Sequence, residues 1–260
     1  MYDLSRLLRR LSVLSIALIA FHIAGCASPQ PQQDKRVDRE KLASVNTKLA
    51  FQYMQEQEYE IALKKLNKAL SADPAFVDAH NALGLLHNQL GQFDDAERSF
   101  KKALRIEPDN SSTLNNYGQF LCQRGRFEEG EQRFLEAVAN PLYKRPALAY
   151  SNAGTCALDA GRTEAAESHL RAALEIENRL APALIQMADI SFRLERHLAA
   201  RGYLQRYQEV ANHTARSLWL GVQVERVLED RDAEASYALL LEKGFPDSNE
   251  TRLYLESREP

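Results

Sequence analysis

From about residue 43 to residue 248 the apolar positions of this chain return at a fixed interval. A small residue preceded by an apolar one appears as Leu49-Ala50, Leu83-Gly84, Tyr117-Gly118, Ala153-Gly154, Met187-Ala188 and Gly221-Val222, and the second members step by 34, 34, 36, 34 and 34 residues. Ala69, Ala103, Ala137, Ala173 and Tyr207 keep the same register, and Pro74 and Pro108 are also 34 apart. Within a unit the spacing is helical: Leu83, Gly84 and His87 share one face, and Ala96, Phe100 and Ala103 share another. Gly84 and Ala96 are small enough to let two helix axes approach, Phe100 fills the space beside them, Gly91 suits the turn between them, and Pro108 stops the second helix. A bundle of unrelated helices would not produce five equal or near-equal steps, so the pattern predicts one helix pair repeated.

The stretch "HNALGLLHNQLGQFDDAERSFKKALRIEP" resembles the tetratricopeptide repeat, a 34-residue pair of antiparallel helices, and the resemblance covers about residues 43 to 244. The expected fold is all-α, a right-handed α-solenoid of about six tetratricopeptide pairs at roughly 43–76, 77–110, 111–146, 147–180, 181–214 and 215–248. The third unit carries a two-residue insertion near "NPLYKRP". The sixth, with Trp219, is degenerate, as terminal repeats often are. Residues 249–260 are expected to form a C-terminal tail.

The chain's start changes the picture. Arg6, Arg9 and Arg10 precede an apolar run from Leu11 to Ile23. That run makes about 20 Å of helix, short of the ~20 residues of a permanent span, and it reads as an export signal over residues 1–25. Ile23-Ala24-Gly25-Cys26 resembles the bacterial lipobox, in which the cysteine sulfur takes a diacylglyceryl thioether. Ala27 and Ser28 follow; neither is the Asp that commonly retains such lipoproteins in the inner membrane. The expectation is therefore a chain lipid-anchored through Cys26 on the periplasmic face of the outer membrane. Residues 26–42 are then a flexible tether, whose Pro/Gln/charged part has a reach of about 20 Å.

Of 260 residues, 33 are Lys or Arg and 36 Asp or Glu, a net charge of −3. Removal of residues 1–25 takes three arginines and one aspartate and leaves a net −5. That balance argues against a nucleic-acid partner. There is no phosphate-cradling Gly-rich loop, HExxH or CxxC, and His80 and His87 stand at repeat positions with no third metal ligand in view. No catalytic residues, metal site or cofactor are assigned, and the chain reads as a non-enzyme. Cys122 and Cys156 fall on first helices of adjacent units in an oxidising compartment. They can pair as a disulfide clamping the insertion, or stay two small buried thiols.

Function is then sought in the groove. The first helices line the concave face, with positions two, five, nine, twelve and thirteen of each unit pointing inward. Candidate partner-binding residues are Phe51, Asn81, Leu85, Asn88, Asn115, Gln119, Thr155, Asp189 and Phe192, with Asn116 and Asn152 at position six. Amides that donate and accept together suit a segment of a protein partner.

The words "LNNYGQFLCQRGRFEEG", "YSNAGTCALDAG" and "LEDRDAEASYALLLEKGFPDS" resemble the type IV pilus biogenesis/stability lipoprotein family (PilF/PilW). That resemblance implies a pilotin. Such a protein binds the pilus secretin subunit, is delivered with it by lipoprotein-sorting machinery, and supports secretin localisation and multimerisation in the outer membrane. The alternative is a general envelope adaptor for β-barrel assembly or peptidoglycan enzymes.

Overall fold

The computed structural model describes residues 31–258; the export signal and Cys26 lie outside them. Among the described residues the chain forms thirteen α-helices: α1 Pro31–Gln55, α2 Tyr59–Ala72, α3 Val77–Gln89, α4 Phe93–Ile106, α5 Ser111–Gln123, α6 Phe127–Ala139, α7 Pro146–Asp159, α8 Thr163–Ile176, α9 Ala181–Arg193, α10 His197–Gln208, α11 Ala215–Val227, α12 Arg231–Gly244 and α13 Asn249–Glu256. The first twelve pair off as six hairpins. Each first helix packs on its own second helix and on the first helix of the next unit, while the second helices of neighbouring units stand farther apart and meet through long side chains, as His169 of α8 does with Glu131 of α6 at 2.7 Å. First helices packed together and second helices splayed apart give an α-solenoid with the first helices on its inner side.

One contact recurs in every hairpin. A small residue on the first helix faces a large one sixteen positions later: Ala50 and Leu66, Gly84 and Phe100, Gly118 and Phe134, Gly154 and Leu170, Ala188 and Leu204, all fully or almost fully buried. A Cβ on Gly84 would lie 2.6 Å from the Phe100 ring, and one on Gly154 2.6 Å from Leu170. In the sixth unit the pair is Gly221 and Tyr237, with the same 2.6 Å approach. The small member there is Gly221 rather than the expected Val222, so the last step of the series is 33. The hairpin turns are equally regular. Gln57, Gly91, Gly125, Gly161, Glu195 and Glu229 all sit at positive φ, between 58° and 74°. Just after each, an amide closes back on a first-helix carbonyl, as in Gln92 N to His87 O at 2.8 Å.

The expected flexible tether and tail are both corrected. Residues 31–42 are the start of α1. Proline is tolerated at the head of a helix, and the Lys, Arg, Asp and Glu residues that follow need no core, so Lys35 to Leu42 are exposed all round and the helix projects. At the other end α13 caps the stack. Ser248 accepts the Thr251 amide at 3.1 Å, Thr251 Oγ1 donates to Phe245 O at 2.7 Å, and Tyr254 packs edge-on against Trp219 at 6.4 Å.

Polar bridges join the units. Arg201 of α10 reaches buried Glu225 of α11 through Nε at 3.1 Å. Glu97 of α4 receives Tyr117 Oη at 2.8 Å, Arg126 Nη1 at 2.9 Å and Lys101 Nζ at 2.7 Å. Burial pushes the Glu97 carboxyl up, but the hydrogen bonds from Lys101, Arg126 and Tyr117 outweigh it and hold the pKa at about 2.

Cys122 of α5 and Cys156 of α7 are joined by a disulfide with Cα atoms 5.6 Å apart, at a sequence separation of 34. It has left a mark on its surroundings. Ala62, Ala96, Ala166 and Ala200 occupy one position of the second helices, and the third unit has Gly130 there. A Cβ on Gly130 would lie 2.3 Å from the Cys122 sulfur and 2.8 Å from Gly118 O. The sulfur therefore takes the space that a methyl group fills elsewhere.

Cys122→Ser should lower stability by about 2–4 kcal/mol, read by denaturant unfolding. Gly130→Ala should cost clearly less in a Cys122→Ala/Cys156→Ala background than in the oxidised chain, and equal costs would show that the sulfur is not the obstacle. Glu97 has a folded pKa below its ordinary 4.5, so its contribution is complete above that value and is lost as pH falls toward about 2. The thermal midpoint should fall over that interval, and Glu97→Gln should flatten the fall.

Candidate functional site

The inner face is built by one row of side chains per repeat position. The position-five row, Thr47, Asn81, Asn115 and Ser151, is buried at 5% exposure or less. These side chains lie between neighbouring first helices, so the structure removes Asn81 and Asn115 from the open groove. The reason is direction: a helical side chain leans toward the preceding turn, which here carries it into the seam.

Within the seam the amides bond one another. Asn152 Nδ2 donates to Asn115 Oδ1 at 3.0 Å, Asn115 Nδ2 to Asn116 Oδ1 at 3.4 Å, and Asn116 Nδ2 to Asn81 Oδ1 at 3.1 Å. One ladder thus ties α7 to α5 and α5 to α3. Asn88 Nδ2 donates to Gln123 Oε1 at 3.0 Å, and Gln186 Nε2 donates to Thr155 Oγ1 at 2.8 Å. Much of the amide content read as recognition chemistry therefore holds the first helices together.

What stays open is a depression of about 370 Å³ lined by Phe51, Met54, Gln55, Leu85, Asn88, Gln89, Gln119, Phe120 and Gln123. Of the candidates, it brings together Phe51, Leu85, Asn88 and Gln119. Phe51 and Leu85 give it an apolar wall, and amides form its rim. Beyond it a smaller hollow of about 170 Å³ is lined by Gln119, Gln123, Asn152, Thr155, Asp159 and the two bonded cysteines. Asp189 and Phe192 stand apart in the fifth unit, where Asp189 pairs with Arg193 at 2.8 Å and Phe192 packs beside His197. Met54, Gln55 and Gln89 were missed, although Met54 occupies the repeat position of Asn88 and both glutamines that of Gln123. Phe120, also missed, is itself buried at 3% exposure and reaches the depression from the core side.

His80 Nε2 lies 2.9 Å from Pro74 O and His87 Nδ1 lies 2.7 Å from Gln92 Oε1, so both histidines serve local packing. Among the described residues no group of His, Cys, Asp or Glu side chains is placed to hold a metal ion.

Tetratricopeptide-repeat models match residues 77–110 and 109–179, and a further repeat model matches 52–91. The type IV pilus assembly protein PilF of Pseudomonas aeruginosa is 32% identical over 237 residues, covering 90% of this chain and 94% of PilF. The chain belongs to the PilF/PilW family. A solved structure of P. aeruginosa PilF superposes with a TM-score of 0.78 at 31% identity, covering 85% of this chain and all of that one. The structure of PilW, described as a widely conserved type IV pilus biogenesis factor, gives a TM-score of 0.74 at 32% identity, covering 82% of this chain and 98% of PilW. The six-hairpin array is thus the PilF/PilW fold.

Asn115→Ala should destabilise the chain by about 1–3 kcal/mol, because Asn152 and Asn116 lose a shared partner in the seam. Gln119→Ala, at an exposed site, should leave denaturant unfolding unchanged and act only on partner affinity.

Proposed function

We propose that this chain is an outer-membrane lipoprotein pilotin, a type IV pilus biogenesis factor that binds the pilus secretin subunit and promotes its localisation and multimerisation. The observation that carries this reading is the end-to-end match to PilF, 32% identical over 90% of the chain. Acyl chains on Cys26 supply the address, at about 0.8 kcal/mol per buried methylene. Lipoprotein-sorting machinery delivers the chain, and the inner face carries secretin as cargo. The part is a binding one, and no catalytic step or cofactor is assigned to it.

The depression between Phe51, Leu85 and Gln119 is suited to this work. Its apolar wall takes large side chains of a partner segment, and its amide rim meets polar backbone groups.

Affinity capture from an outer-membrane extract should retain secretin with the wild-type chain and much less with Phe51→Glu/Leu85→Glu. Cys26→Ala should leave the fold intact and mislocalise secretin multimers. Unaltered outer-membrane rings in that variant, or capture that never includes secretin, would overturn the reading.

A further inference from the structure

Acidic residues outnumber basic ones in this chain, yet the two signs are separated on the outer helices of the first two units. α2 opens with Glu60, has Lys64 and Lys65 at its middle and Lys68 in its second half; α4 opens with Asp94 and Asp95 and carries Lys101, Lys102 and Arg105 in its second half. An acid-to-base order suits the helix dipole, but it is not a property of the whole array. The position of Lys68 and Lys102 holds Glu136 in the third unit, and α8 ends with Glu175 ahead of Ile176. That position is basic again at Arg206 of the fifth unit, whose Nη2 donates to Asn178 O at 2.6 Å, and Lys243 stands in the last turn of α12; only units one and two carry the basic residue in adjacent repeats.

Its place in the fold gives it meaning. α1 runs antiparallel to α2 and is about eleven residues longer, so the C-terminal ends of α2 and α4 lie on the edge from which the first turns of α1 project. A cleft of about 550 Å³ on that edge is lined by Lys35, Arg36, Arg39 and Glu40 of α1 with the loop Ala72 to Pro74. Lys68, Lys102 and Arg105 are exposed and form no ion pair among the described residues. The same edge also carries carboxylates, of which Asp73 accepts the Ala75 amide at 3.0 Å, Glu107 accepts Asn110 Nδ2 at 2.7 Å and Asp109 is exposed; all keep their charge, so the cations gain only where they stand nearer the anionic surface.

We propose that this edge lies against anionic phospholipid headgroups and so fixes how the solenoid stands at the membrane. The proposal rests on the reading that Cys26 is the anchor. Five residues lead from Cys26 to Pro31, at most about 18 Å of chain, and the projecting turns of α1 add about 16 Å, so this edge is the part of the body held nearest the bilayer. A uniformly mixed surface of net charge −5 would be repelled there. A segregated one is drawn in, each cation near an anionic surface adding roughly a fivefold factor to partition.

The test uses the chain from residue 26 with Cys26→Ser, which keeps every described residue and carries no lipid. It should float with phosphatidylethanolamine vesicles containing about a quarter phosphatidylglycerol, and not with phosphatidylethanolamine alone. Binding should weaken as salt rises. K68E/K102E should lower partition roughly tenfold or more, K68Q/K102Q should fall between, and K243E at the far end of the array should match the parent, all with unchanged circular dichroism. Binding to neither vesicle, equal binding to both, or an unmoved K68E/K102E variant would overturn the proposal, as would retention by an acidic protein in place of vesicles. Mass analysis of the native chain separates the two readings. Acylated Cys26 with no vesicle response sinks the docking edge alone; native chain without acyl groups sinks the anchor and leaves the vesicle result standing.

Discussion

The close approach of two helices at a residue with almost no side chain governs this protein. Where Gly84 meets Phe100, or Gly154 meets Leu170, the large group occupies the volume that the small one vacates. The sixteen-residue interval between the partners fixes the hairpin, and the hairpin's width fixes the step to the next one. A change at this contact cannot be absorbed locally, because every first helix also packs on the first helix of its neighbour. An interior of this kind is close-packed, with no spare space for an added methyl group.

Polar chemistry is then fitted to that frame in two ways. On the outer side, ion pairs such as Arg201 with Glu225 join consecutive units. On the inner side, the ladder from Asn152 to Asn81 does so with neutral amides. Amides make a stable seam because each can give and take a hydrogen bond without carrying a charge out of water. The positions left over, nine, twelve and thirteen, are what the solenoid presents to another molecule.

Most of the fold was legible in the sequence, since small residues, left-handed turns and terminal prolines recur at fixed intervals. The six hairpins follow from that rhythm. The role of position five did not. Asn81 and Asn115 look like recognition groups in the sequence, and only the direction of their side chains shows that they are spent in the seam. The helix at residues 31–42 was hidden because it has no apolar stripe to announce it, and α13 because about two turns with Thr251 and Tyr254 facing inward give too short a pattern. The one-residue slip to Gly221 follows the ring of Tyr237, a long-range partner that alignment on neighbouring letters does not weigh. Gly130 in a row of alanines was visible as an irregularity, but its cause is a sulfur atom supplied by a different helix.

The helical start of α1 has a geometric effect that a coil would not have. A coil of a dozen residues would act as a rope, fixing a maximum distance and leaving the body free to turn. A helix acts as a screw. Each residue added or removed between Pro31 and Leu42 shifts the body by about 1.5 Å and rotates it by about 100° around the α1 axis. Between the start of α1 and the body, distance and heading are therefore set together. A change of length there turns the start of α1 to a new heading relative to the body unless it comes in whole turns.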